Sequence, residues 1–277
     1  MTKVLITGGC GFIGSHLVEF LSNDNFEVSV FDKYNINDSY GWLDSYKYKN
    51  EIDFYMADIR DFDAVSKAVK GKDIIIHLAA LIGIPYSYYS PLAYINTNIT
   101  GTYNVLEAVK SFNISQVLVT STSEVYGTAL YTPIDENHPI QPQSPYSASK
   151  ISADNLAMSY FYSFNLPVSI IRPFNTYGPR QSQRAIIPTI INQLKFNKNQ
   201  IIELGNLKPT RDFSFIEDTC SAFLQFVNSK KCIGKIINIG SGSNISIFKL
   251  AKLIAKLMNK KIIFKNSMKR VRPKSSE

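Results

Sequence analysis

An α/β fold, built on a doubly wound parallel sheet with a smaller C-terminal lobe interleaved with it, is predicted by three features of this chain. A glycine-rich turn, TGGCGFIG, follows the first β-rich run directly. Apolar runs and helical patterns then alternate as far as Arg172, and beyond it the alternation loosens. A length of 277 residues with 45% apolar composition supplies enough core for a main domain and a lobe.

The spacing predicts strands over 3–7, 27–31, 52–56, 73–78, 116–121 and 167–171, with helices near 12–23, 61–69, 91–111 and 145–164 between them. Parallel strands need such crossover helices. After Arg172, RPFNTYGPRQ is rich in turn residues, IIPTIINQLKFN has helical spacing, TRDFSFIEDTCSAFLQFVNS runs into another helix, and a short strand is expected at 235–239. The expected division is a domain over 1–172 and a lobe over 173–277.

Composition narrows the function classes. Cys10, Cys220 and Cys232 lack C-x-x-C spacing, and His16, His77 and His138 are too scattered for a metal motif, so neither a disulfide framework nor a metal site is expected. No run of 18 apolar residues occurs, and MTKVLITGG enters a strand at once. That predicts a cytoplasmic protein without signal peptide or membrane span. The formal charge of +8 originates in residues 245–277, which hold ten Lys/Arg and one acid. Lys249, Lys252, Lys256 and Lys260 recur at helical spacing in SIFKLAKLIAKLMNK, as a solvated face would, so no nucleic-acid partner is expected.

Gly8, Gly11 and Gly14 follow KVLIT and open a helix at Phe12 and Ile13. Glycines there permit a tight turn and a close approach of backbone to a pyrophosphate, which the N–H groups of the helix start then bind. A merely structural turn would use glycine too, but the second strand ends in Asp32, at the distance where a carboxylate accepts from an adenosine ribose. An acid repels a 2′-phosphate, so NAD is favoured over NADP, although Lys33 adjoins it. Asp58 and Ile59 sit where a loop could reach adenine; Asp58 or Asp61 could equally cap the helix DAVSKAVK. Leu78, Ala79 and Ala80 end the fourth strand, where small side chains let a cofactor lie close, and His77 reads as a packed or hydrogen-bonded histidine.

Tyr146 and Lys150 share a helix face in SPYSASK. An ammonium beside a phenol is expected to bring the phenol pKa down toward neutrality, and an oxidised nicotinamide would add a second positive charge, making a base for a sugar hydroxyl. In VLVTSTSEVYG the strand is expected to end near Thr120 and Ser121, presenting Thr122, Ser123 and Glu124 at the sheet edge where ligands of parallel sheets bind. Thr122 can hydrogen-bond the hydroxyl being oxidised, and Glu124 is either a general acid/base or a loop cap. Asn175, Arg184, Arg211 and Arg272 are candidate grips on an anionic substrate, arginine being suited to bidentate phosphate contacts.

TGGCGFIGSHL, HLAA, NTNITGTYNVLEA, STSEVYG, YSASK and RPFNTYGPRQ together resemble the extended short-chain dehydrogenase/reductase family, in its nucleotide-sugar epimerase/dehydratase branch. The resemblance implies a Rossmann-type domain, a small nucleotide-sugar lobe, tightly bound NAD, Asn98 at the cofactor and a homodimer built from two long helices per subunit. Within the branch, INDSYGWLDSYK, AALIGIPYSYYSP and QSPYSASKISADNLAMSYFYSF look like the enzymes that make a 4-keto-6-deoxy N-acetylglucosamine nucleotide toward legionaminic acid. Thr122, Glu124, Tyr146 and Lys150 then map onto catalytic positions, and Ile84 and Pro85 onto a loop reading the sugar amide.

Many such dehydratases carry Thr-Asp-Glu where this chain has Thr-Ser-Glu. Glu124 would then handle both the C5 proton and the C6 leaving group. The same TSEVYG also fits decarboxylases acting on UDP-glucuronate, and C4 epimerases remain an alternative. Family members commonly extend past 300 residues, which implies that this chain stops short of their usual end.

Overall fold

The computed structural model of the protein describes residues 1–33, 37–197, 199 and 201–267. The chain runs through β1 (Lys3–Thr7), α1 (Phe12–Ser22), β2 (Glu27–Asp32), β3 (Asp53–Met56), α2 (Phe62–Val69), β4 (Ile74–His77), α3 (Ile84–Tyr89), α4 (Pro91–Tyr94), a π-helical stretch (Ile95–Thr100) and α5 (Gly101–Lys110). There follow β5 (Gln116–Thr120), α6 (Pro145–Phe164), β6 (Val168–Pro173), β7 (Asn175–Tyr177), α7 (Ile186–Phe196), β8 (Ile201–Leu204), β9 (Thr210–Arg211), β10 (Phe213–Phe215), α8 (Ile216–Val227), β11 (Ile236–Ile239), β12 (Ile245–Ser246), α9 (Ile247–Leu257) and β13 (Ile263–Asn266).

Seven strands form one parallel sheet in the order β3-β2-β1-β4-β5-β6-β11, so the predicted doubly wound α/β class is observed. The order reverses between β1 and β4, and open parallel sheets bind ligands at such a crevice, beyond the carboxyl ends of the strands. β4, β5 and β6 are buried throughout, as a sheet covered on both faces requires. Leu17, Val18 and Leu21 of α1 pack with Phe223 and Phe226 of α8 in one core layer. Val65, Val105, Leu106, Ala157 and Tyr160, from α2, α5 and α6, fill the other.

Local chemistry places α6, which carries Tyr146 and Lys150. Ser144 and Ser147 form a reciprocal capping box at 3.0 Å in each direction, Pro145 takes the first helical position, and Asn165 stops the helix in a left-handed conformation at φ 55°. The predicted 91–111 helix is instead built in three parts, with α3 as an unforeseen element before it. Ile95, Thr97, Ile99 and Thr100 favour a regular helix weakly, and the widened turns hold Asn98 at a buried position.

A separate core of Ile190, Leu194, Ile202, Leu250 and Ile254 joins α7, β8 and α9, while β13 pairs with β8 in parallel. The second half of the chain also supplies β11 to the main sheet and α8 to the face carrying α1.

Candidate active site

The glycine turn closes on itself with Gly11 N–H donating to Gly8 O, while Gly8 N–H donates to Phe31 O at 2.7 Å. Two of its glycines are obligatory. Gly8 has φ +75°, and a Cβ there would lie 2.8 Å from Ala79 N; a Cβ on Gly14 would lie 2.2 Å from Gly8 O. No side chain caps α1, so its first N–H groups stay available to an anion, and Phe12 and Ile13 at its start pack half-buried against the core.

Asp32 ends β2 with its carboxylate over this turn, Oδ2 accepting from Cys10 N–H and Oδ1 from Lys33 N–H, both at 2.7 Å. Burial raises the Asp32 pKa against those hydrogen bonds. Asp58 pairs with Arg60 at 2.6 Å, which pulls its carboxyl down to about 2. Asp61, not Asp58, caps α2, accepting from Asp63 and Ala64 N–H. An open cavity of about 420 Å³ lies here, lined by Asp58, Arg60, Asp61, Asn96 and Thr100. It does not reach the Tyr146 group, and Asn96 and Thr100 were not among the candidates because only the π-helical turns bring them to it.

Leu78 N–H donates to Thr7 O and Ala79 N–H to Thr7 Oγ1, which lays the 78–80 segment beside the glycine turn. Asn98 pins the same segment, its amide exchanging hydrogen bonds with Leu81 at 2.8 and 3.0 Å and donating to Ser149 Oγ at 2.9 Å. His77 is fully enclosed, with ring nitrogens 2.8 Å from Thr7 Oγ1 and 3.1 Å from Thr102 Oγ1. Burial pushes its pKa down to about 3, the Lys150 charge helping, so His77 is neutral and packed.

A folded-state pKa below the unfolded value gives stability that is complete above about 6.5 and lost as pH falls toward about 3. Each unit in that window is worth at most about 1.4 kcal/mol. Melting temperature should therefore fall more steeply with acid in the parent than in His77→Gln, and equal slopes would contradict the buried neutral histidine.

Thr122 begins the turn Ser123–Tyr126 and accepts from Glu124 N–H at 3.2 Å. The Thr122 hydroxyl and the Glu124 carboxylate both lie close enough to the Tyr146 phenol to shift its acidity, Thr122 lowering its pKa and Glu124 raising it. Ile84, Tyr94 and Leu81 pack round Tyr146, Pro85 follows Ile84 in the first turn of α3, and Arg184 is near enough to act on Tyr94. Lys150 donates to Thr120 O at 2.5 Å, and burial pulls its pKa down to about 8 against the opposing Asp154 charge.

One expectation is corrected. Burial, with the nearby Glu124 charge, raises the Tyr146 phenol above its ordinary value, and Thr122 only partly offsets this. Helical spacing delivered Lys150 to the Tyr146 face, but the ammonium is committed to the Thr120 carbonyl. Thr120 Oγ1 is buried without a hydrogen-bond partner at the same strand end.

Asn175 donates to Asp212 O at 3.1 Å, and Arg211 is half-exposed on β9 with Nη1 donating to Thr210 O. Arg272 lies outside the described residues. Sequence reading missed Asp154 and Arg172, a buried ion pair at 3.0 Å directly beneath this cluster. Their only sequence signal was a charge placed within otherwise buried patterns.

A match to the family described as GDP-mannose 4,6 dehydratase spans residues 5–277. The chain belongs to that family. It is part of the extended short-chain dehydrogenase/reductase group of nucleotide-sugar dehydratases and epimerases. A dTDP-D-glucose 4,6-dehydratase of Dictyostelium discoideum is 37% identical over 91% of this chain, which spans 61% of that relative's length.

Two solved relatives carry NAD. The dTDP-glucose 4,6-dehydratase DesIV of Streptomyces venezuelae superposes with TM-score 0.88 at 28% identity, covering 97% of this chain and 85% of DesIV. The UDP-glucuronic acid 4-epimerase of Bacillus cereus gives 0.87 at 30% identity, covering 96% and 86%. Among the described residues no helix is long and apolar enough to cross a membrane, and no group of His, Cys, Asp and Glu could hold a metal ion.

Proposed function

We propose that the protein is an NAD-dependent nucleotide-sugar 4,6-dehydratase acting on a UDP- or GDP-linked N-acetylglucosamine-type sugar, as on the route to legionaminic acid. The observation that carries this reading is the convergence of the Thr122 hydroxyl, the Glu124 carboxylate and the Tyr146 phenol at one strand end. The glycine cradle, the uncapped α1 start, Asp32 and the unpartnered Thr120 hydroxyl fit a dinucleotide. Gly8, Gly11, Phe12, Ile13 and Gly14 would hold its pyrophosphate, Asp32 and Lys33 its ribose, Asp58 and Ile59 its adenine, with Leu78, Ala79, Ala80 and Asn98 lining the sheet edge. NAD, when bound, supplies a reversible store for one hydride.

Tyr146 accepts the proton of the C4 hydroxyl, which Thr122 orients through its own hydroxyl; burial opposes the phenolate that this needs, and the positive charge of an oxidised nicotinamide, when bound, would favour it. The resulting C4 ketone acidifies the C5 hydrogen. Glu124 takes that proton and hands it to the C6 oxygen, which departs as water. Ser123 is too weak an acid to share this step, so one carboxyl performs both transfers. Lys150 keeps positive charge beside the strand end that carries Thr122. Asn175, Arg184, Arg211 and Arg272 serve as grips on the diphosphate and sugar.

C4 epimerisation is the second reading, supported by the epimerase among the structural relatives. Incubating the protein with a panel of nucleotide sugars decides between them. A loss of water with a new C6 methyl doublet is expected; unchanged mass with inverted C4 would establish an epimerase, and loss of carbon dioxide from a uronate a decarboxylase. Mass spectrometry of released ligand should find NAD, and NADP in its place would overturn the reading of Asp32.

A homodimer is part of the same proposal. Ile95, Tyr103, Tyr162 and Phe164 are exposed on the helices of the 95–110 and 145–164 stretches. Sedimentation should give twice the chain mass, and charged substitutions at Tyr103 and Tyr162 should reduce it to one.

A further inference from the structure

We propose that Asp154 is a positioning residue for this cluster: with Arg172 it ties down both ends of the 121–126 segment and so presents Thr122, Glu124 and Tyr146 to the sugar. The inference rests on the dehydratase/epimerase chemistry above and adds to it a residue one helical turn behind Lys150.

Asp154 is 2% exposed and Arg172 1%. Three donors converge on Asp154 Oδ2: Ser121 Oγ at 2.8 Å, Arg172 Nε at 3.1 Å and Arg172 Nη2 at 3.0 Å. Ser121 immediately precedes Thr122. Arg172 Nη1 reaches past the carboxylate to donate to the Tyr126 hydroxyl at 2.9 Å, and Tyr126 donates in turn to Asn238 Oδ1 at 2.8 Å. Tyr126 closes the turn that carries Glu124. One carboxylate therefore governs the start of the segment directly and its end through a single guanidinium.

Stability alone gives no reason for this arrangement. A buried ion pair costs desolvation that a packed apolar pair avoids, and Asp154 Oδ1 is buried without a hydrogen-bond partner. The placement also acts on Lys150, which holds the preceding residue through the Thr120 carbonyl. Asp154 and Tyr146 on the same helix, His77 from β4, Tyr94 from α4, Glu124 and Tyr126 from the turn and Arg172 from β6 are the titratable and charged groups of this region. Of these, the Asp154 carboxylate is what opposes the loss of the Lys150 proton by burial. Asp154 thus ties the start of the segment to its end and, one helical turn from Lys150, opposes the loss of that lysine's proton.

The test uses full-length protein labelled with 13C at lysine Cε, the Lys150 resonance being assigned with Lys150→Met. In Asp154→Asn the Lys150 titration midpoint should fall by about one pH unit or more, a tenfold change in proton affinity. With the nucleotide sugar that the panel identifies, kcat should fall roughly tenfold or more at little change in KM. The alkaline limb of the pH profile should move to lower pH, and Asp154→Glu should recover part of the loss.

Removing one partner of a buried pair endangers folding, so the Asp154→Asn/Arg172→Gln double variant, which removes both charges, is measured beside it. A folded variant with the parent's Lys150 midpoint and pH profile overturns the proposal. So does failure of both variants to give the native circular dichroism spectrum, since the pair is then a stability element only. The titration needs no substrate. If the parent turns over no nucleotide sugar, the proposed function fails while the role of Asp154 is still decided by the Lys150 midpoint.

Discussion

Tyr146→Phe is expected to slow C4 oxidation by about a thousandfold, within the range that a positioned acid or base contributes, while nucleotide-sugar affinity is unchanged. The substitution removes one oxygen and keeps the ring, which packs against Ile84, Leu81 and Tyr94. Without the hydroxyl the C4 proton loses its acceptor, because Thr122 is a poor base, Lys150 already donates to Thr120 O, and Glu124 is assigned to the C5 proton. Pre-steady-state formation of reduced nicotinamide measures the step, and calorimetric titration with the nucleotide sugar measures binding. Parent-like rates in the variant would remove Tyr146 from the role of base. The pH profile carries a linked expectation: the alkaline limb should lie near 8, where buried Lys150 loses its proton.

The parts of the site legible in sequence are those whose chemistry is local. Gly8 and Gly14 stand out because a Cβ would strike the backbone of the same turn or of the adjacent strand end. Tyr146 and Lys150 share a face because helical geometry guarantees it, and Asp32 ends a strand whose apolar run is plain. Asp154 and Arg172 stayed hidden because their meeting depends on how α6 lies against β6, which no spacing encodes.

The acidity of Tyr146 was misread for the same reason. Neighbour identity follows from spacing, whereas the cost of a buried phenolate follows from tertiary packing and outweighs it here. The lobe was least legible: β8 pairs with β13 across some sixty residues, two four-residue strands with no turn between them to announce the pairing.

Glu124→Gln is the variant that separates dehydration from epimerisation. In a dehydratase the carboxylate is required after C4 oxidation, so the variant should form the 4-keto sugar with reduced nicotinamide and then stall, its 6-deoxy product reduced by about a thousandfold. Glutamine preserves the size of the side chain, while Tyr146 loses a repelling negative charge, so oxidation itself should not slow. Two measurements define the outcome. Proton NMR in deuterated solvent reads exchange at C5, which should vanish with the base, and mass spectrometry reads loss of water. An epimerase needs no C5 base, so in that case Glu124→Gln would leave turnover near the parent value. Exchange at C5 at the parent rate, with elimination abolished, would instead divide the two transfers between different residues. Glu124 would then be the acid at the C6 oxygen, and the base that takes the C5 proton would lie elsewhere.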